Sequence, residues 1–227
     1  MTAPARFWPR SVAWSLDMLL AALLCAPWLA GPLARGLARL RADLLAFLTA
    51  AYREMHLAFA GGEAPLAFLP RALRAPWLHE GIAALHADVW TTFAMPLLLF
   101  VLVAIILQAL GEASPWQGGP GKRLLGLRVA TSEGGRLTPG RALSRQLAGV
   151  LSWLTLNVGH ALAAVPPAHA ALHDRLTGTR VVGGPQRLPA WGRAWLALLG
   201  LGTLALVVVL SVSLSQLAEA ALTAALG

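Results

Sequence analysis

The chain is predicted to be an all-α membrane protein with three transmembrane helices, a re-entrant helical hairpin and a small cytoplasmic β element. At 57% hydrophobic and 12% charged residues, with mean hydropathy +0.65, its 227 residues hold too little polar surface to cover a soluble globule. Three runs, Val12 to Ala30, Trp90 to Leu110 and Trp195 to Leu214, reach the length of about 20 apolar residues that a bilayer crossing needs. Basic residues, finally, are spread unevenly about those runs. With three crossings, Arg6, Arg10 and every Lys or Arg from 111 to 193 share one side, and the positive-inside rule makes that side cytoplasmic.

Taken in order, residues 1–34 hold the N-terminal segment and first transmembrane helix. Trp8 and Trp14 lie near its start, as indoles at headgroup level do, and Pro27 is tolerated near its end. A cleaved signal peptide fits poorly, because Asp17 interrupts what would be an uncharged core and no small-residue cleavage site follows cleanly. Cys25, the single cysteine, rules out an internal disulfide and reads as inert packing.

Residues 35–87 change character. Leu37, Leu40, Leu44, Leu48 and Met55 form a stripe at helical spacing among charged residues, which predicts an amphipathic helix on the non-cytoplasmic side. Gly61-Gly62 and the prolines at 65, 70 and 76 are expected to break it into loop.

Residues 88–182 carry the second transmembrane helix and then a β element. Leu124 to Ala130 suits a short strand, Glu133-Gly134-Gly135 a turn, Arg136 to Thr138 an antiparallel return, and Thr179 to Val182 a third strand. If the strand at 179 pairs with the one near 130, the segment 140–178 must come back to the side it left, as a hairpin turning near Asn157-Val158-Gly159. Were it a true crossing, there would be four transmembrane helices, and Arg175, Arg180, Arg187 and Arg193 would face outward against the rule. Residues 183–227 are a linker and the C-terminal transmembrane helix, opened by Trp191 and Trp195.

An acid inside a span is a functional hypothesis by default, since burying it there costs roughly 2.5 to 3.5 kcal/mol on insertion scales. Asp17 is such a residue. Arg10 lies seven positions earlier on the same helix face, about 10 Å away and too far for a simple bridge, so a third group must satisfy each. His169 and His173 have the four-residue spacing of a metal pair on one helix, but no further ligands accompany them, so no metal and no cofactor is expected. The stretch Gly118 to Arg123 lacks the residues of a phosphate-binding loop, and a turn presenting Lys122 and Arg123 to lipid phosphates or a partner is the better account. No serine has a nucleophile-elbow context, so the chain is not expected to be an enzyme.

Arg10, Asp17, the glycine-rich turn with Gly121, Lys122 and Arg123, and the later Leu172-His173-Asp174-Arg175 run stand in the order that resembles the RDD family of bacterial integral membrane proteins, named for one arginine and two aspartates. The matching positions are Arg10, Asp17 and Asp174. Departures occur at Gly119-Pro120-Gly121-Lys122, where the family usually shows Thr-Pro-Gly-Lys, and at Pro166 to His169, where it shows basic residues. The resemblance implies that Asp174 partners the first helix, with His173, Arg175 and Thr179 in support. It further implies a multi-pass protein of the bacterial inner membrane with its N-terminus cytoplasmic. Two functions compete: transport or exchange of a small ion or solute through the Arg10, Asp17, Asp174 set, or a non-catalytic scaffold recruiting a partner by its basic face. Expected partners are anionic lipid headgroups at the cytoplasmic face and a second copy of the chain or another protein, with no nucleic acid.

Overall fold

The computed structural model describes residues 3–154, 157–167 and 169–227. It is mainly helical, with α1 (Phe7–Ala60), α2 (Pro65–Ala72), α3 (Pro76–Ala113), α4 (Pro120–Leu124), β1 (Leu127–Thr131), α5 (Pro139–Leu154), α6 (Val158–Ala161), α7 (Leu172–Leu176), β2 (Thr179–Gly183) and α8 (Ala190–Leu226). Among the described residues α1, α3 and α8 are long and apolar enough to cross a membrane, and the apolar stretch of α8 has none of its residues buried. The chain divides into two compact units: Met1–Ala26 with Leu99–Gly200, and Pro27–Leu98 with Leu201–Gly227.

In the first unit, β1 and β2 pair antiparallel, Leu127 opposite Gly183 and Thr131 opposite Thr179. The N-terminal residues add to the free edge of β2, where the Ala5 amide donates to Val181 O at 2.9 Å and the Gly183 amide to Ala3 O at 3.1 Å. One face of this sheet is apolar. Leu127, Val129 and Val181 meet Ala5, Val12 and Ala13 of the N-terminal segment and Leu137 and Ala142 from the start of α5. Because Thr131 and Thr179 are neighbours, the segment between them ends where it began, which excludes a single crossing. Its outgoing limb is α5, 16 residues or about 24 Å long, short of a bilayer's roughly 30 Å. Asn157, with φ of 66°, takes the left-handed conformation at the expected turn, and the return passes through α6, a 3₁₀ turn and α7.

Four expectations are corrected here. The amphipathic stretch from residue 35 is not a separate helix, because α1 runs unbroken through Pro27 and Pro32 to Ala60. Residues 61–87 are mostly helix: Pro65 and Pro76 open α2 and α3, where a missing amide donor costs nothing. The first strand starts at Leu127, since residues 120–124 form α4. Arg136 to Thr138 is no strand, because the Thr131 amide donates to Gly135 O and Thr131 Oγ1 accepts from the Gly135 amide, closing a tight turn after which Leu137 enters the core.

In the second unit, the parts of α1 and α3 that it contains run antiparallel. Gly36 lies against Thr92 and Gly81 against Phe47, each close enough that a Cβ would overlap, and Arg39 Nε stands 3.7 Å from Asp88 Oδ1. Arg71 holds α2 back onto α1 through Glu63 at 3.0 Å and Glu54 at 3.5 Å.

The core assignment is checked with Leu127→Ala. Leu127 is 1% exposed, so truncation should cost about 2–5 kcal/mol of stability in detergent. Leu124→Ala, at a position 66% exposed, should leave the melting midpoint unchanged.

Candidate functional site

Six charged side chains meet in the first unit, all buried or nearly so, and they alternate in sign. Asp174 on α7 stands between two arginines. Its Oδ2 accepts from Arg10 Nη2 at 2.7 Å and from the Ala171 amide at 2.9 Å, and its Oδ1 accepts from Arg145 Nη2 at 2.6 Å. Arg145 on α5 is 4% exposed; its Nη1 turns to Glu112 Oε1 on α3 at 2.7 Å and its Nε to Thr179 Oγ1 on β2 at 3.2 Å. Glu112 is fully buried, takes Lys122 Nζ at 3.1 Å on the same oxygen, and accepts from Gln146 Nε2 at 2.8 Å on the other. Lys122 donates in turn to Gln108 Oε1, and Gln108 Nε2 donates to Asp17 Oδ2 at 3.0 Å. The Gly121 amide completes Asp17 by donating to Oδ1 at 2.7 Å.

Local sequence explains how these groups converge. Gln108 and Glu112 are four apart on α3 and share a face. The turn at α4 can press onto α1 only because residues 119 and 121 lack side chains: a Cβ at Gly119 would lie 2.6 Å from an Asp17 carboxylate oxygen, and one at Gly121 would overlap Ala13 O. Asp174 is the third helical residue of α7, where its carboxylate can reach back to the amide of Ala171 ahead of the helix.

Arg10 and Asp174 are therefore joined, as the sequence suggests, and Thr179 supports Arg145. Asp17 contacts neither. Lys122 corrects the expectation that it is presented to lipid: it points inward and is 8% exposed, whereas Arg123 is exposed with its guanidinium 4.3 Å above the Trp116 ring. His169 and His173 do not share a helix face, because His169 precedes α7 with φ of 45° and gives its carbonyl to Arg10 Nη1 at 2.7 Å. His173 Nε2 lies 3.4 Å from Asp174 Oδ1, while Arg175 is exposed and donates to Ala170 O. Among the described residues no group of three His, Cys, Asp or Glu is placed to hold a metal ion.

Gln108, Glu112, Arg145 and Gln146 escaped the sequence reading. Glu112 follows directly on an apolar run and reads as an interface residue, while Arg145 sits in a segment expected to dip into the bilayer. That position was signal enough, since a charge there needs a buried partner.

The cavity beside this network has a volume of about 390 Å³. Arg10, Lys122 and Arg145 with the amide of Gln108 belong to its polar side, and Trp14, Met18 and Leu196 are among its apolar walls.

Long apolar helices around a buried, charge-balanced network define an integral membrane protein of the polytopic kind. The chain belongs to the RDD family, whose model matches residues 4–178 and so encloses all six charges. It is also similar to "Uncharacterized protein YxaI" of Bacillus subtilis (strain 168), 32% identical over 90 residues, which are 40% of this chain and 59% of that protein. The chain thus matches less than two thirds of that relative's length. No solved structure matches.

Two measurements test the network. Asp174→Asn leaves two guanidiniums facing an amide and should cost about 3–5 kcal/mol. Adding Arg10→Met should cost less than the sum of the two single changes; strict additivity would mean that the pair does not interact.

The second measurement uses pH. Burial, the Arg145 guanidinium and then Arg10 hold the His173 imidazole far below its ordinary value, against the pull of Asp174. An unfolded chain takes up a proton there below about pH 6.5 and the folded one does not, so stability falls as pH drops from that point, by at most about 1.4 kcal/mol per pH unit for one proton. Asp174 acts in the same sense at lower pH: burial would raise its carboxyl, but Arg145 and Arg10 outweigh this and hold it below the carboxylate range. In melting curves, His173→Gln should make the limb between pH 6.5 and 4.5 shallower, an unchanged limb being the contrary result.

Proposed function

We propose that the protein carries a small ion or solute across a bacterial cytoplasmic membrane, with the cavity beside the charge network as its binding place. The observation that carries this reading is the shared wall: Arg10, Gln108, Lys122 and Arg145 belong both to the network and to the cavity lining. Charge placement supports an N-terminus on the cytoplasmic side, since the first unit holds twelve of the eighteen basic residues and four of the ten acids. The reading is of a carrier and not of an enzyme.

The network gives this carrier a switch. Every carboxylate oxygen of Asp17, Glu112 and Asp174 already accepts a hydrogen bond. A solute engages them best where one of these donors gives way. Lys122 is suited to leave: it is the one lysine in the chain, and its ammonium rides on a flexible stem where a guanidinium presents a fixed fork. When it withdraws, Glu112 keeps Arg145 and Gln146, and Asp17 keeps Gly121 and Gln108.

Completeness of the network favours a second reading, in which three acids and three bases simply clamp the fold of a scaffold. Solute and ion flux in proteoliposomes separates the two. Under the carrier reading, Asp17→Asn and Lys122→Met abolish flux while the melting midpoint of each variant stays within a few degrees of wild type. Loss of folding in both variants, with no flux from wild type under Na⁺, K⁺ and H⁺ gradients, supports the clamp.

A further inference from the structure

The buried network is neutral, and this fixes what remains outside it. Of the first unit's twelve basic residues and four acids, three of each lie in the network, which leaves nine arginines against Glu133 alone. The second unit carries six of each and is neutral. The whole formal charge of +8 thus belongs to the outer surface of the first unit.

Three of those arginines recur with tryptophan at the ends of the three long helices. Arg6 and Trp8 stand at the start of α1, Trp191 and Arg193 at the start of α8, and Trp116, just beyond the end of α3, meets Arg123 of α4. All six are exposed, and the third pair is in direct cation–π contact at 4.3 Å. These ends lie close together, because Ala5, Ala113 and Leu188, which adjoin them, pack in one core cluster. The arginines keep only light ties: Arg6 Nε donates to Gln186 Oε1 at 3.2 Å and Arg193 Nη1 to Leu188 O at 3.4 Å. None has an acid partner among the described residues.

We propose that these three tryptophan–arginine pairs form a collar that binds anionic phospholipid. Indole prefers the boundary between acyl chain and headgroup, and a guanidinium takes two phosphate oxygens in one plane. Where a spanning helix leaves the apolar layer, the two groups together match a lipid's glycerol and phosphate. The partner is a lipid and not a soluble polyanion because each arginine has an exposed indole beside it, two positions away in sequence for Arg6 and Arg193 and in contact for Arg123, near the end of a long apolar helix. Arg128 and Arg180, on a shared face of the sheet, have no such indole and take no part.

Thermal unfolding of the full chain in nanodiscs tests the collar, with phosphatidylglycerol titrated into phosphatidylcholine. Each arginine is worth roughly five-fold in affinity, so wild type should prefer phosphatidylglycerol on the order of a hundredfold and melt higher in its presence. Arg6→Gln, Arg123→Gln and Arg193→Gln combined should lose most of that shift, while Arg128→Gln with Arg180→Gln keeps it. If the triple variant fails to fold, Arg123→Gln alone, compared by the number of phosphatidylglycerol molecules retained in native mass spectrometry, decides the matter. Equal melting in both lipids overturns the collar, as does an equal loss in the sheet variant. A soluble polyanion such as heparin stabilising the protein as well in phosphatidylcholine discs would overturn it too.

Discussion

Arg145 is a guanidinium with almost no access to solvent, and such a group is tolerated only where its donors meet carboxylates in good geometry. Its Nη1 requires Glu112 on α3, its Nη2 requires Asp174 on α7, and its Nε takes Thr179 on β2. Those demands bind the outgoing limb of the hairpin to its own return and to a spanning helix. The rest of the first unit follows from them. Asp174 then has a second oxygen to satisfy and takes Arg10 of α1, while Glu112 has room for Lys122, whose turn is drawn against Asp17. The glycines at 119 and 121 are the steric condition for that approach.

Much of this was legible in the residue types. Three crossings, the strand at 179 and the turn at 157 follow from length, β-propensity and the need for residues 131 and 179 to meet. The link from Arg10 to Asp174 follows from the family's order of residues. What stayed hidden depended on direction. Lys122 beside Arg123 reads as a basic turn, and only the fold shows that one enters the network while the other lies on Trp116. Glu112 was illegible for a related reason, because at the end of an apolar run burial and headgroup contact leave the same sequence trace. Residues 35–60 read as a separate helix because hydrophobic composition reports the surroundings of a helix and not its continuity.

The network's stoichiometry ties the candidate site to the choice between carrier and clamp. Three acids and three bases with every carboxylate oxygen occupied would make a rigid assembly if all the bases were arginine. Planar guanidiniums hold their partners in fixed forks: Arg10 binds two groups and Arg145 three. A lysine in the same assembly holds its partners through one flexible ammonium. The fixed part of the network is thus the Arg10, Asp174, Arg145 and Glu112 end, anchored to the hairpin and the sheet. The adjustable part is Lys122 between Glu112 and Gln108, set against the cavity wall. A pure clamp gains nothing from placing its weakest member beside an open volume, whereas a carrier needs a member that can leave without dissolving the fold. That asymmetry, in a chain with one lysine among seventeen arginines, is what supports the proposed carrier and its use of Lys122 as the donor that gives way.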